Sequence, residues 1–369
     1  MNTVEKNIVK RVLFCILSVS MTAGAITLAT VLGSDASYTA PITPNETSPI
    51  EEEDVPLSAS PMPEDAYAPV YLTFGGSCTV GSMLGSDSYG TFNALLSESG
   101  EDYFLDRMCE LFDNDDFTFV LCNTVLSDND LSPAERGTTE WYRAPSNAAR
   151  IFGEGGVEAV ALHAFHTWDY GETGYSDTKA ALESADILWG DHGKALYYEK
   201  NDISIALYER YVDDETDAEG VLAWLSSTGA AHDYTAVYIV LPEDENTMSA
   251  EARRDILRSF ADGGADVVVA TDTVRVGQVE EWGDSLIVYS LGALLDGRTK
   301  YPEQYTLVLG VELKTLDGEL NGVEYTLTPC RTYDASAAWC PFPVTDEGEL
   351  SLVTDYLYGR SDTLGERGE

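Results

Sequence analysis

The sequence is short of histidine and of basic residues. It has 4 histidines and 21 lysine and arginine residues against 64 aspartate and glutamate residues, which gives a formal net charge of −43. A chain this acidic repels the phosphate backbone of nucleic acids, so nucleic-acid binding is excluded as its general function. The charge is typical of a protein kept soluble at a crowded surface, and attraction of cations or cationic polymers is the functional alternative.

The six cysteines form no CxxC pair, so the sequence does not indicate a zinc knuckle. Cys330 and Cys340 lie close together near the end of the chain. Outside the cell a disulfide between these two residues is possible, and buried free thiols are the alternative for Cys78, Cys109 and Cys122.

The N-terminal region predicts a membrane anchor. Residues 1–11 carry three basic residues and one acid, and residues 12–33 carry no charge. An uncharged helix of about 20 residues is long enough to cross a bilayer, and the basic side stays in the cytoplasm. We therefore predict a cytoplasmic tail at 1–11, a transmembrane helix at 12–33 and an extracellular remainder. A cleaved signal peptide is the alternative, because Ala23-Gly24-Ala25 resembles a cleavage site.

Residues 34–68 are rich in proline, serine, threonine and acids, which predicts a disordered linker. From 69 to 358, short apolar runs alternate with amphipathic ones and predict one α/β domain, followed by a polar tail at 359–369. The predicted strands are Val70–Phe74, Phe117–Leu121, Val157–Leu162, Ile203–Tyr208, Ala236–Leu241, Asp266–Ala270 and Ser285–Tyr289. The predicted helices are Tyr103–Phe112, Pro145–Phe152, Asp177–Ala185, Thr216–Ser227, Ala250–Asp262 and Glu347–Tyr358. A closing hairpin is predicted at Thr306–Leu316 and Gly322–Pro329.

Ligands of α/β sheets bind at the carboxyl ends of the strands, so the residues that follow each predicted strand are the candidate site. These residues include Ser77, Asn123, His163, His166, Trp168, Asp169 and Asp272.

Four stretches carry a resemblance to a known family: TFGGSCTVGS at 73–82, HTWDYGETGYSDT at 166–178, FADGGADVVVA at 260–270 and VEEWGDSLIVYSLG at 279–292. In wording and spacing they resemble the CapA family of poly-γ-glutamate capsule biosynthesis proteins, which is related to the calcineurin-like metallophosphoesterases. The resemblance implies a four-layer α/β/β/α sandwich of the metallophosphoesterase type.

The resemblance also implies a two-metal site, but most of its positions carry other residues here. The family's Gly-Asp is Gly76-Ser77, its Asn-x-Glu is Asn123-Thr124-Val125, and its Asn-Asn-His is Ala164-Phe165-His166. Its Gly-His-x-Pro-His is replaced at 270–274, where both imidazoles are missing. We therefore expect a domain that keeps the fold and has lost the metal chemistry, with no cofactor. A weak divalent-cation site that uses Asp272 and Glu243 is the alternative.

His166 and Asp169 are the candidate catalytic pair, because a histidine held by a carboxylate suits proton transfer. A structural pair that holds the turn is the alternative. The candidate binding residues are Ser77, Asn123, His163, Trp168 and Asp272. Packing in the core is the alternative for His163 and Trp168. Ser77 lacks a GxSxG elbow, so the sequence does not indicate a serine nucleophile.

By resemblance, we expect a membrane-anchored extracytoplasmic protein of capsule or cell-envelope polymer biosynthesis. We expect it to be non-catalytic and to bind the polymer or other capsule-synthesis membrane subunits. The alternative is a hydrolase or amide-transfer enzyme with an altered metal-dependent site. Poly-γ-glutamate itself is a polyanion, and an acidic domain repels a polyanion unless cations bridge the two.

Overall fold

The computed structural model describes residues 26–30, 68–86, 90–135, 138–192, 194–242, 247–271, 274–299 and 302–364. The strands are β1 Ile26–Thr30, β2 Val70–Thr79, β3 Ser82–Met83, β4 Phe117–Cys122, β5 Val125–Leu126, β6 Tyr142–Ala144, β7 Ala159–Ala161, β8 Leu188–Gly190, β9 Leu196–Lys200, β10 Ile203–Tyr211, β11 Tyr234–Val240, β12 Val267–Thr271, β13 Val279–Trp282, β14 Ser285–Val288, β15 Ala293–Asp296, β16 Tyr305–Leu316, β17 Glu319–Arg331 and β18 Phe342–Pro343. The helices are α1 Phe92–Ser99, α2 Cys109–Phe112, α3 Arg150–Glu154, α4 Gly171–Ser184, α5 Glu215–Ser227, α6 Ala250–Asp262 and α7 Glu347–Leu357.

The strands form two large sheets and one small sheet. The first large sheet has the order β1-β17-β16-β2-β4-β7-β8, with β15 added to β2 and β18 added to β17. Its strands β2, β4, β7 and β8 run parallel to one another. The second sheet has the order β13-β14-β12-β11-β10-β9, and its central strands β14, β12, β11 and β10 are also parallel. The small sheet joins β3, β6 and β5.

Three buried clusters hold these elements together. The first contains side chains from both large sheets, and the rings of Phe119 on β4 and Tyr238 on β11 meet edge to face at 5.1 Å. The second joins the first sheet to helices, with Val120 and Leu182 among its members. The third joins the second sheet to α5 and α6, with Ile239 and Phe260 among its members. The prediction of an α/β domain is confirmed.

Helix ends follow the expected capping chemistry. Thr91, Asp214, Ser249 and Asp346 precede α1, α5, α6 and α7, and each side chain accepts a hydrogen bond from a backbone N–H of the first turn. These bonds satisfy N–H groups that have no partner inside the helix, which fixes where each helix begins.

Two predicted helices are replaced in part by 3-10 turns, and a third, predicted at Asp177–Ala185, begins earlier, at Gly171. The predicted helix Tyr103–Phe112 is instead two 3-10 turns, Glu101–Tyr103 and Asp106–Met108, followed by the short α2. Four of its large side chains are fully or almost fully buried, and the ring of Phe104 stacks on that of Phe92 at 4.3 Å. Apolar side chains that point to several sides do not form one helical face, so tertiary packing decides this backbone. The predicted helix from Pro145 begins one residue later as a 3-10 turn, with Pro145 as its cap, and continues into α3.

β1 lies within the segment predicted to be a transmembrane helix. At these five residues the structure has a strand instead, which pairs antiparallel with β17 from Ile26 opposite Leu327 to Thr30 opposite Val323. The rest of 1–33 and residues 34–67 of the predicted linker lie outside the described residues, so the anchor stays a prediction. In the part of the chain that the structure describes, no helix combines the length and the apolar character needed to cross a membrane.

The structure decides whether Cys330 and Cys340 form a disulfide. Both residues are buried free thiols and form no disulfide. Cys330 lies on β17 opposite Pro343, within the cluster between the first sheet and its helices.

Candidate functional site

The carboxyl ends of the parallel strands from both large sheets open onto one cleft of about 430 Å³. Its lining residues are Ser77, Leu121, Asn123, Thr138, Glu140, Ala164, Phe165, His166, Tyr211, Asp213, Val240, Leu241, Pro242, Thr247, Thr271 and Arg298. Three of the predicted site residues, Ser77, Asn123 and His166, are therefore brought together. This is the position at which α/β sheets bind ligands.

The end of β2 is held by a close contact between its backbone and the backbone of Gly292. A bulge between Phe74 and Ser77 interrupts the pairing with β4, and the backbone N–H of Ser77 donates to the carbonyl of Gly292 at 3.0 Å. A Cβ atom at Gly76 would overlap that same carbonyl oxygen. Glycine at 76 thus lets the Gly292 turn approach β2 and places Ser77 at the cleft.

His166 is fixed from two sides. Its Nδ1 lies 2.9 Å from Oδ2 of Asp169, and its backbone N–H donates to Oδ1 of Asn123 at 2.9 Å. The side chains of His166 and Asp169 are only 7% and 0% exposed, and Asp169 also accepts from the backbone N–H of Tyr142 at 2.7 Å. With Nδ1 donating to Asp169, the Nε2 atom of His166 is a hydrogen-bond acceptor, and no described residue bonds to it.

His163 and Trp168 lie apart from the lining of the cleft. The ring of His163 packs against Tyr211 and His192, with ring centroids 5.9 and 5.3 Å away, and burial lowers its pKa to about 4. Trp168 stacks on Tyr175 at 4.2 Å, on the helix side of the first sheet. These placements show packing contacts, and a binding role for either residue stays a prediction. Asp272 and Glu243 lie outside the described residues.

Several residues that line the cleft had not been singled out from the sequence. Asp213 follows β10, which continues to Tyr211 and so runs three residues beyond the predicted strand. Arg298 follows β15, a strand that the sequence analysis did not predict. Both residues would have been identified from the sequence if the full length of β10 and the presence of β15 had been predicted.

The donors that a two-metal site needs do not converge in the described residues. In that part of the chain, the potential metal ligands that come together are three carboxylates, whose oxygens lie within 4.8 Å of one another. They belong to Asp213, Asp214 and Asp217. This group is a partly exposed acidic cluster that contains no imidazole. The Nδ1 atom of His166 is already bonded to Asp169, and Ser77 is a poor replacement for a carboxylate ligand. The described residues therefore do not fit the family's metal centre.

A second groove, of about 380 Å³, runs beside α4 and is lined by residues such as Ser127, Asp177 and Ala181. No histidine lines it, and Asp177 is occupied by bonds from Ser127 and Asn129. The cleft around His166 is therefore the candidate functional site.

Glu209 is a buried acid next to the site, and this residue was not predicted from the sequence. It lies on β10, is 1% exposed, and accepts from the backbone N–H of His163 at 3.2 Å. Its Oε2 atom has no hydrogen-bond partner. Burial raises the pKa of Glu209 well above its usual value, and the charge of Asp191 adds to the effect.

We expect Glu209→Gln to stabilise the protein increasingly as the pH rises from 5 to 8. Because the folded-state pKa is raised, ionisation of Glu209 penalises the folded state above the usual value of 4.5, whereas glutamine does not ionise. Urea unfolding of both proteins across this pH range measures the difference. A constant difference would show that the pKa of Glu209 is the same in the folded and unfolded states and would contradict the expectation, as would a loss of stability at pH 8.

The fold and the cleft define an α/β protein whose candidate site lies where two facing sets of parallel strands end. A family model described as "Bacterial capsule synthesis protein PGA_cap" matches residues 72–298. The chain belongs to this family, as the sequence resemblance predicted.

No curated protein matches the chain. Among solved structures, it is similar to one described as the crystal structure of TT1561 of Thermus thermophilus. The two share 9% sequence identity with a TM-score of 0.38, over 65% of this chain and 94% of the other. A second solved structure has 13% identity and a TM-score of 0.33, over 67% of this chain and 96% of the other.

Proposed function

We propose that this protein serves capsule or cell-envelope polymer biosynthesis by binding, and that the cleft around His166 holds the polymer or a partner subunit. The family to which the chain belongs supports the setting. The observation that carries the binding role is the arrangement of donors at the cleft. His166 is engaged with Asp169 and Asn123, and the carboxylates that converge at the rim among the described residues, Asp213, Asp214 and Asp217, include no imidazole.

The proposal includes a four-layer sandwich of the metallophosphoesterase type and membrane anchoring through the N-terminal region, with the domain outside the cytoplasm. The charge pattern of the N-terminal region supports the anchor. Ala68, where the described domain begins, bonds through its carbonyl oxygen to Thr315 and Asn201. It precedes β2, whose opposite end carries Ser77 into the cleft. Ala68 and the cleft therefore lie at opposite ends of β2.

One observation favours an enzyme as a second candidate. A buried aspartate holds a histidine whose free Nε2 faces a cleft, and this arrangement suits a general base. Such a base would remove a proton from a hydroxyl group or a water molecule bound next to Ser77 or Thr271. A hydrolase or amide-transfer reaction is the corresponding activity.

Complementation of cells that lack the protein separates the two candidates. A binding protein with His166→Gln keeps a polar side chain of similar size at the cleft, so we expect at least half of the wild-type amount of surface polymer. Loss of a general base would lower a reaction rate by about 10²- to 10⁴-fold, so an enzyme with the same substitution would leave cells near the level of the deletion strain.

Ser77→Phe is the matched control, because a phenyl ring at this position fills part of the cleft and blocks both functions. Equal protein amounts for all variants are verified by immunoblotting. Wild-type polymer in cells that carry Ser77→Phe would contradict any role for the cleft.

A further inference from the structure

Among the described residues, the charges that line the cleft are unbalanced towards acid. Glu140 and Asp213 line it against one described arginine, Arg298. The Nε and Nη2 atoms of Arg298 lie 2.8 and 3.3 Å from the two carboxylate oxygens of Asp296, so its charge is already matched by a buried carboxylate. The cleft therefore offers little positive charge to an anionic ligand.

More acid surrounds the rim on the α5 side. Asp214 and Asp217 have carboxylate oxygens within 4.8 Å of those of Asp213. Burial raises the pKa of Asp213, and the neighbouring Asp217 and Asp214 raise it further. Arg210 bonds to Asp217 at 2.5 Å and so balances one of these three acids.

Another arginine close to the cleft, Arg253, donates hydrogen bonds to backbone carbonyl groups. Arg253 is 8% exposed and donates to the carbonyl oxygens of Met248 and Pro242, at 3.1 and 2.7 Å. It lies behind Pro242, which lines the cleft, and Arg253 itself is not among the lining residues. The acids at the rim thus outnumber the cations that contact them.

The floor of the cleft presents an acceptor that lacks a donor. The side chain of His166 is 7% exposed, it lines the cleft, and its Nε2 atom is bonded to none of the described residues. This acceptor can take an N–H or O–H group from a ligand that enters the cleft. Phe165, which is 41% exposed, and Tyr211 add aromatic rings to the same lining.

From these features we infer that the cleft binds a primary ammonium group carried by an envelope polymer, such as a free amino group of a polysaccharide. An ammonium group supplies three donors, and the imidazole Nε2 of His166 and the carboxylates of Glu140 and Asp213 are acceptors in the lining of the cleft. The aromatic rings attract the same charge through their faces. This inference rests on the proposed binding function and narrows it to an amine-bearing rather than a polyanionic segment.

The test compares two oligosaccharides that differ only in charge. Glucosamine oligomers carry free amines, and N-acetylglucosamine oligomers of the same length carry none. Isothermal titration into the purified full chain at fixed ionic strength is expected to show binding of the amine form at least about tenfold tighter. Glu140→Gln and Asp213→Asn are each expected to weaken it by roughly three- to fivefold, as for a partly exposed ion pair.

Glu319→Gln is the matched control. It removes the same charge from the exposed turn between β16 and β17, at the opposite end of the sheet from the cleft. Because a charge more than about 10 Å away is largely screened at 0.1 M salt, its effect is expected to stay under about twofold. An equal loss in this control would show general attraction to an acidic protein and would overturn the inference.

Two further outcomes would also overturn it. Equal affinity for the acetylated oligomer would indicate a neutral glycan as the ligand. Displacement of the amine by Ca²⁺ or Mg²⁺ at micromolar concentration would assign Asp213, Asp214 and Asp217 to a divalent cation.

The same titration shows whether only the ammonium inference fails or the proposed binding function fails as well. If neither oligomer binds but polymer extracted from the envelope still binds the wild-type chain and not Ser77→Phe, only the ammonium inference fails. If the extracted polymer does not bind either, the proposed function fails as well.

Discussion

Gly76→Ala is expected to lower the free energy of unfolding by about 3 kcal/mol or more, which is a large part of the stability of a typical domain. The added methyl group would overlap the carbonyl oxygen of Gly292, to which the backbone N–H of Ser77 donates. Both groups are backbone, so no side chain can move aside. The end of β2 must shift, and Ser77 leaves its place at the cleft. Urea unfolding monitored by tryptophan fluorescence measures the change.

Gly310→Ala on β16 is the matched control for this substitution. There the nearest atoms to the new methyl group belong to Thr326, at 3.7 Å, which is ordinary van der Waals contact. We expect a change of at most about 0.5 kcal/mol, because alanine also has less conformational freedom in the unfolded chain. Similar behaviour of the two variants would contradict the close approach at Gly76.

Asp169→Ala is the second substitution with a large expected effect. We expect it to lower the free energy of unfolding by about 3 kcal/mol. It removes the acceptor of Tyr142 N–H and the partner of His166 from a site where the aspartate side chain is completely buried. The turn at His166–Trp168 and strand β6 would both lose their connection to this side chain. Ligand affinity should fall with stability, since the ring of His166 is no longer held towards the cleft.

Two comparisons make this result interpretable. Asp169→Asn keeps one acceptor oxygen and replaces the other with an NH2 group, and it is expected to lose less stability than alanine. Asp177→Ala removes bonds to Ser127 and Asn129 in a more exposed setting, so a loss of about 1 kcal/mol is expected. If Asp169→Ala unfolded at the same urea concentration as the wild-type protein, the pair of His166 and Asp169 would have no structural role.

The sequence predicts the central strands well, because they are buried apolar runs bounded by polar residues. Observed strands overlap the predictions from Val70, Phe117, Ile203 and Ser285 closely. The ends are harder to predict. β2 continues from Phe74 to Thr79 because β15 pairs with Ser77 to Thr79, and a partner more than two hundred residues away leaves no local signal. Ser77 therefore lies in a strand rather than in the loop expected after it.

The candidate site is predicted in part for the same reason. Ser77, Asn123 and His166 were found because each follows a recognisable strand. Asp213 and Arg298 were missed because their strands were cut short or not recognised, and Glu209 was missed because it lies inside a strand. An acid within an apolar run such as the one that ends in Tyr208-Glu209-Arg210 is the signal that would have indicated a buried carboxyl group.

The course of β2 also sets how the domain would carry mechanical load. The strand starts beside Ala68, where the N-terminal part of the chain enters, and ends at the cleft, with β16 and then β15 on one side and β4 on the other. A pull between Ala68 and a ligand in the cleft would run along this strand. Its ladders of hydrogen bonds, which lie across the strand, would be loaded in shear and would have to break together rather than one after another.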